Sequence, residues 1–459
     1  MGRTRDRTSI GLWSVVSIGV GGMVGGGIFA VLGLSAQLAR GGAPVAFAIG
    51  GIVAGLTAAS YAKLAVRFPD RGGTITYINE AFGSGVTSGG LNVLLWLSYI
   101  VMLSLYASAF GNYFVTLVPG DPPGWTAKLA LTGIVVALTV LNAASAASIG
   151  RAEEWIVAAK ILILGVFVVA GLTTVDHARL LPAQWASPLS IVGGGMLIFV
   201  AYEGFELISN SAEDVTDPRS TLPKAFAISV GSVTVLYVLV AIVTIGVLSP
   251  SQITAAEDFA LAEAARPQFG QLGFAVIAVA ALLSTASAIN ATLYGATRLT
   301  FSVARSGELP KPFGRTLRGG PSEGLLITSL LTLVVANTLD LGRISTMGSA
   351  GFLIVFLAVN LAQFRLRSHD DSRVLPLVGA TACASALVAL AIEVGPSDRV
   401  AAGVAAGLVA LSFGIEIAYR AATGRSITHR FDSHNSESDN SDSHRSDSDS
   451  SETERENRR

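Results

Sequence analysis

Apolar residues in this chain come in runs of about 20, and the polar positions are gathered between the runs rather than alternating with them. Crossing a hydrocarbon core of about 30 Å takes about 20 helical residues. The pattern predicts twelve spanning helices, near 11–33, 43–66, 88–118, 127–147, 154–174, 190–211, 224–248, 270–303, 323–339, 344–364, 374–394 and 400–419. The third and eighth are long enough to tilt. An all-α polytopic membrane protein is the expected class.

Composition agrees: 51% of residues are hydrophobic and 14% charged. A net charge of −1 gives no basic field for nucleic acid. The single cysteine, Cys383, excludes a disulfide within the chain and a cysteine metal cluster, and the five histidines lack metal-ligand spacing. No nucleophile–base constellation or nucleotide loop is evident. The expectation is a protein that is not an enzyme, with no catalytic residues, no metal and no cofactor. The basic start MGRTRDR precedes a run that is too long for a signal peptide and lacks an A-x-A-like end, so it reads as a retained first span.

Charge also orients the chain. With residues 1–10 in the cytoplasm, inner segments hold twenty Lys and Arg, among them Arg3, Lys63, Arg67, Arg219 and Arg365. Outer loops hold six: Arg40, Lys128, Arg179, Arg266, Arg343 and Arg399. This bias puts both termini inside. After the last helix, residues 421–459 form an expected cytoplasmic tail, acidic and Ser/Asp-rich beyond Phe431, with too little apolar surface to fold.

The first span contains IGVGGMVGGGIFAVLG (18–33), in which six of the nine residues from Gly19 to Gly27 are glycine. Each costs a helix roughly 0.5–1 kcal/mol relative to alanine. Three readings compete. A dinucleotide loop is rejected, because the third glycine comes one residue late and the context is a membrane span. Gly21/Gly25 and Gly22/Gly26 have the spacing of close helix packing. The third reading is a helix break whose unpaired backbone groups face a polar ligand.

The sixth span, GGGMLIFVAYEGFELISNSAEDVTDPRSTLPKAF (193–226), bears on that choice. It opens on three glycines, carries Gly204 near its centre and holds Glu203 and Glu206 at membrane depth. A charge there costs at least ~2.5–3.5 kcal/mol, so such residues face a partner or a cavity. Interrupted spans one and six are what an inverted repeat of five plus five helices gives, around a shared binding site.

GVGGMVGGGIF resembles the G-x-G-x-x-x-G-S-G-I-F signature of amino acid permeases of the amino acid–polyamine–organocation superfamily. AYEGFELISNSAEDVTDPRSTLP is similar to their sixth-helix segment. The loop segment EDFALAEAARPQFG and LLSTASAINATLYGATRLTFSVARSGELP resemble the family as well, and the likeness covers about residues 8–420. It implies the leucine-transporter fold, with repeats at 11–174 and 190–364 and two further helices at 374–420. It also implies that amides of Gly25, Gly26 and Gly27 hold a substrate carboxylate, at the positive end of a half-helix. Backbone carbonyls of Met23, Val200 and Glu203 would take the ammonium, and Tyr202 would be the aromatic gate.

Two departures stand out. Gly26 replaces the usual Ser/Thr, which removes a hydroxyl. Glu203 replaces a neutral residue, and two readings stay open for it: a group favouring cationic substrates or proton transfer, or a charge turned to a neighbouring helix or water. Glu206 matches the family's acidic position and reads as a conformational or proton-linked group. Lys160 lies about nine residues past Arg151, roughly 13 Å into the fifth span. It either snorkels to the surface or is a desolvated amine that gains and loses a proton. Some proton-coupled or sodium-independent permeases resemble this chain in that lysine, which would face carbonyls near Gly19 and Gly22 and hydroxyls such as Ser284 or Ser287.

The expectation is a secondary permease of the cell membrane that moves amino acids by alternating access, with the proton as coupling ion and the lipid bilayer as its setting. A polyamine or cationic amino acid carrier or exchanger is the alternative within transport. A transporter-like membrane sensor is the alternative of another class.

Overall fold

The computed structural model describes residues 10–70, 72–144, 150–305, 323–368 and 372–424. The tail beyond Gly424 and the basic segment before Ile10 lie outside them. The helices are α1 (Leu12–Met23), α2 (Gly27–Ala39), α3 (Ala43–Arg67), α4 (Thr74–Phe82), α5 (Val86–Leu117), α6 (Thr126–Ala144), α7 (Gly150–Gly171) and α8 (Pro188–Leu197). A long 3₁₀ segment follows at Phe199–Asp214. Then come α9 (Pro218–Val247), α10 (Pro250–Ala255), α11 (Ala260–Arg305), α12 (Glu323–Thr338), α13 (Leu341–Leu366), α14 (Val374–Ser397) and α15 (Arg399–Thr423).

Among the described residues, eight helices are long and apolar enough to span a bilayer. Two further spans are bent pairs: α1 with α2 at 47°, and α8 with the 3₁₀ segment at 44°. Two shorter apolar stretches, Trp155–Gly171 and Glu323–Thr338, fall where the fifth and ninth spans are expected. The fold is all-helical, with breaks in the first and sixth spans.

Burial separates the centre from the rim. The apolar window of α5 is 94% buried, that of α13 83%, and that of α6 only 11%. Leu129, Val136 and Val140 on α6 and Leu162, Val166 and Val169 on α7 point outward, which suits a lipid-facing surface. α3 packs on α9, α5 on α11, and α1 on both the 3₁₀ segment and α9.

Two helical pieces lie outside the expected spans. α4 buries Thr74, Ile75, Tyr77, Ile78 and Ala81 on one face. It starts after Gly73 at φ +49°, where a side chain would also strike the Asn210 and Ser209 side chains. Glycine alone satisfies both demands there. The segment EDFALAEAARPQFG, expected as a loop, is largely helical. Its Ala, Leu, Glu and Arg residues favour helix, and α11 turns sharply only at Gly270, at φ +62°.

The two broken spans are fastened at both ends. Before α1, Ile10 N–H donates to Asp214 O (2.9 Å), and Thr216 N–H donates to Ile10 O (3.0 Å). Beyond α2, Gly41 N–H donates to Gln184 O (3.2 Å), and Ala186 N–H donates to Ala39 O (3.3 Å). The start of one span is thus tied to the end of the other, so the two run antiparallel.

Candidate functional site

The breaks meet in the interior. A Cβ on Gly22 would lie 2.7 Å from Gly204 O, and one on Gly204 would strike the Gly22 and Met23 backbone. Gly19 faces Ile208 and Ser229, and Gly21 faces Val157. Close packing and helix breakage therefore coexist in the glycine run: the missing side chains bring the backbones together just where the helix is interrupted.

At the first break, Val24 N–H still donates to Val20 O (2.8 Å), and Gly25 N–H reaches back to Gly22 O at 3.4 Å. Gly26 and Gly27 donate to no acceptor among the described residues, and α2 resumes with Ala30 N–H donating to Gly26 O (3.0 Å). Of the three amides expected to hold a carboxylate, Gly25 is thus turned toward its own helix. The other two stand at the start of α2, where N–H groups and dipole favour an anion. The Tyr106 ring and Thr285 methyl crowd Gly26, so a side chain in place of its hydrogen has no room.

The carbonyls around the breaks have partners. Tyr237 Oη–H donates to Met23 O (2.6 Å) and lies 3.3 Å from Ala201 O. At the second break Ser345 and Ser349 donate to Leu197 O (2.6 and 3.0 Å), and Val200 N–H donates to Ser349 Oγ (3.0 Å). The carbonyls of Val200 and Glu203 lie inside the 3₁₀ segment. Tyr202 is anchored rather than loose: its hydroxyl donates to Phe47 O (2.7 Å) and its ring packs edge-on to Tyr237 (5.2 Å). Met23, Val200, Tyr202 and Glu203 are all at most 3% exposed, so the structure is closed over this region.

Glu206 sits in a polar cluster. Thr74 donates to its Oε2 (2.8 Å), Tyr99 donates to its Oε1, and Tyr61 Oη is 2.9 Å from the Thr74 hydroxyl. One carboxylate thereby joins the 3₁₀ segment to α3, α4 and α5. Lys160 is buried, not snorkelled, and its Nζ donates to Gly21 O (3.1 Å). Val157, one turn earlier, meets the same Gly21. The acceptor lies between the expected Gly19 and Gly22, because those two face the 3₁₀ segment while Gly21 faces α7. Ser284 donates to Val24 O at 3.5 Å. Ser287 is half-buried, and no hydrogen bond ties it to α1 among the described residues.

Sequence reasoning missed Tyr106, Tyr237, Ser345, Ser349, Tyr99 and Thr74. Tyrosine hydroxyls in mid-span were the available signal, since a polar tip at membrane depth needs a partner.

Three comparisons bear on this arrangement. An uncharacterized protein of Methanocaldococcus jannaschii, MJ0609, is 38% identical over 79% of this chain and 84% of its own. The inner membrane transport protein YbaT of Escherichia coli is 36% identical over 80% of this chain and 86% of its own. The crystal structure of a mutant manganese transporter from Eremococcus coleocola superposes with a TM-score of 0.56 at 15% identity, covering 91% of this chain and 96% of that one, and so shares the fold. The family described as amino acid permease matches residues 10–412, a range that takes in both broken spans, Lys160 and the Glu206 cluster. With that match and these relatives, the chain belongs to the amino acid permease family and is a membrane transporter.

Proposed function

We propose that this transporter is a secondary permease that carries amino acids by alternating access and couples their movement to protons through Lys160. The free amides of Gly26 and Gly27 at a buried helix break support an anionic anchor for the substrate carboxylate. The observation that carries proton coupling is the buried Lys160 ammonium on Gly21 O, next to the first break. Loss of a proton from that amine would weaken its hold on a backbone carbonyl of α1. Glu206, Ser284 and Ser287 are proposed to respond to that change.

The twenty-to-six bias of basic residues supports a cell-membrane protein with both termini in the cytoplasm. Two five-helix repeats, 11–174 and 190–364, followed by helices at 374–420, fit the antiparallel pairing of the broken spans.

Uptake into proteoliposomes tests the coupling, with proton and sodium gradients imposed separately. A proton gradient is expected to drive accumulation in the wild type, and Lys160→Ala is expected to lower it by at least about tenfold, the loss of one coupling contact at 1.4 kcal/mol or more. Full proton-driven uptake by Lys160→Ala would sink the assignment.

A further inference from the structure

One carboxyl group at the meeting of the two breaks has an oxygen with no partner among the described residues. Glu203 precedes Gly204, whose backbone touches Gly22. Its Oε1 is fully buried and meets no hydrogen-bond donor among the described residues. Its neighbours are otherwise satisfied: Met23 O by Tyr237, Leu197 O by Ser345 and Ser349, Glu206 by Thr74 and Tyr99. The Tyr106 ring lies against Gly26, beside the free amides.

Charge balance indicates what is missing. Around the breaks one ammonium, Lys160, stands against two carboxylates, Glu203 and Glu206. A neutral amino acid brings one charge of each sign and leaves the Glu203 carboxyl without a partner. A substrate with an additional positive charge supplies that partner, and a buried carboxylate holds its charge only when paired.

A second observation points the same way. A pocket of about 340 Å³ opens where α14 turns into α15, and Leu197, the last residue before the second break, lines it. Three carboxylates (Asp340, Glu393 and Asp398) and one guanidinium (Arg343) stand in its walls. Arg343 already bridges Asp340 and Asp398 (3.1 and 3.0 Å). Such a mouth gathers cations and repels anions. From Phe199 to Glu203 the 3₁₀ segment advances about 8 Å at roughly 2 Å per residue.

We propose that the substrate is an amino acid with a cationic side chain, whose positive charge is received by Glu203 while the Gly26 and Gly27 amides hold its carboxylate. This rests on the amino acid permease reading above and narrows its substrate class. The acidic pocket is the entry side of the same path.

Counterflow into proteoliposomes containing the purified full chain tests it, with labelled L-lysine against L-norleucine, which has the same alkyl chain without the terminal ammonium. The wild type is expected to take lysine at least about tenfold more efficiently than norleucine, as one paired charge requires. Glu203→Gln is expected to abolish that preference, and Glu203→Asp to keep it, since charge rather than shape is read. A wild type that takes norleucine as well as lysine, or a Glu203→Gln protein that still prefers lysine, overturns the proposal. If Glu203→Gln does not yield a monodisperse protein, the wild-type ratio and Glu203→Asp decide. Exchange of neutral amino acids but not lysine rejects only this inference; exchange of no amino acid at all rejects the permease reading beneath it.

Discussion

At the scale of single residues, the glycines divide by what a methyl group would meet. At Gly204 an added Cβ runs into the Gly22 and Met23 backbone, which has no rotamer to change. Overpacking of this kind costs about 1–3 kcal/mol or more. Gly204→Ala is expected to lower the thermal midpoint of the detergent-solubilised protein by several degrees and to abolish transport. Gly231, on α9, has nothing within 4 Å of its Cβ position. Gly231→Ala is expected to hold or raise the midpoint, by up to about 1 kcal/mol of helix propensity. Equal effects of the two substitutions, read by size-exclusion after heating, would show that the close approach is not what these glycines serve. Gly204 stands out in the sequence as the centre of an interrupted span, but its difference from Gly231 in packing lies in what the rest of the chain places against each.

At the scale of elements, the second break is held by a short polar bracket on α13. Ser349 receives Val200 N–H and donates to Leu197 O, so one hydroxyl serves both ends of the interrupted turn. Ser349→Ala leaves a buried amide without an acceptor, at a cost of about 1–3 kcal/mol. Ser345 still holds Leu197 O. The expected outcome is a folded protein with a lower thermal midpoint and faster hydrogen exchange confined to residues near 197–201. Unchanged exchange there would remove the bracket's role. The breaks themselves were legible in the sequence, because glycine runs and membrane-depth carboxylates are local signals. The bracket was not: Ser349 lies 149 residues from Val200, and Tyr237 lies 214 from Met23. α4 and the helical stretch after Ala260 were hidden for a different reason. Each has too short an apolar face to register beside spans of 20 residues and more.

At the scale of the whole molecule, the rim is tied by charge where the interior is tied by backbone. Asp398 caps α15 and meets Arg343 of α13 at the mouth of the acidic pocket. The Ala401 amide foremost, then the Arg343 guanidinium, hold its carboxyl below the usual carboxylate range. A depressed folded value adds stability above the unfolded value and loses it as pH falls through the folded one. Asp398→Asn keeps a capping oxygen but not the charge. Its midpoint is expected to fall slightly below wild type at pH 7, with the gap closing as the pH drops below the ordinary carboxylate range. A gap that persists in acid would mean the charge contributes nothing. The effect should be small, since this ion pair is about one-third exposed.

The antiparallel clasp of the two broken spans has a mechanical consequence. They are joined by main-chain bonds at both extremities and touch glycine to glycine at mid-depth, with no side chain interposed at that point. A hinge cushioned by leucines can yield by rotamer hops, so that one arm moves while the other lags. A bare-backbone bearing has no such slack, and any tilt of one span is delivered undamped to its mate. Under the alternating access proposed above, the lever that opens one face of the membrane would be the same rigid body that shuts the other.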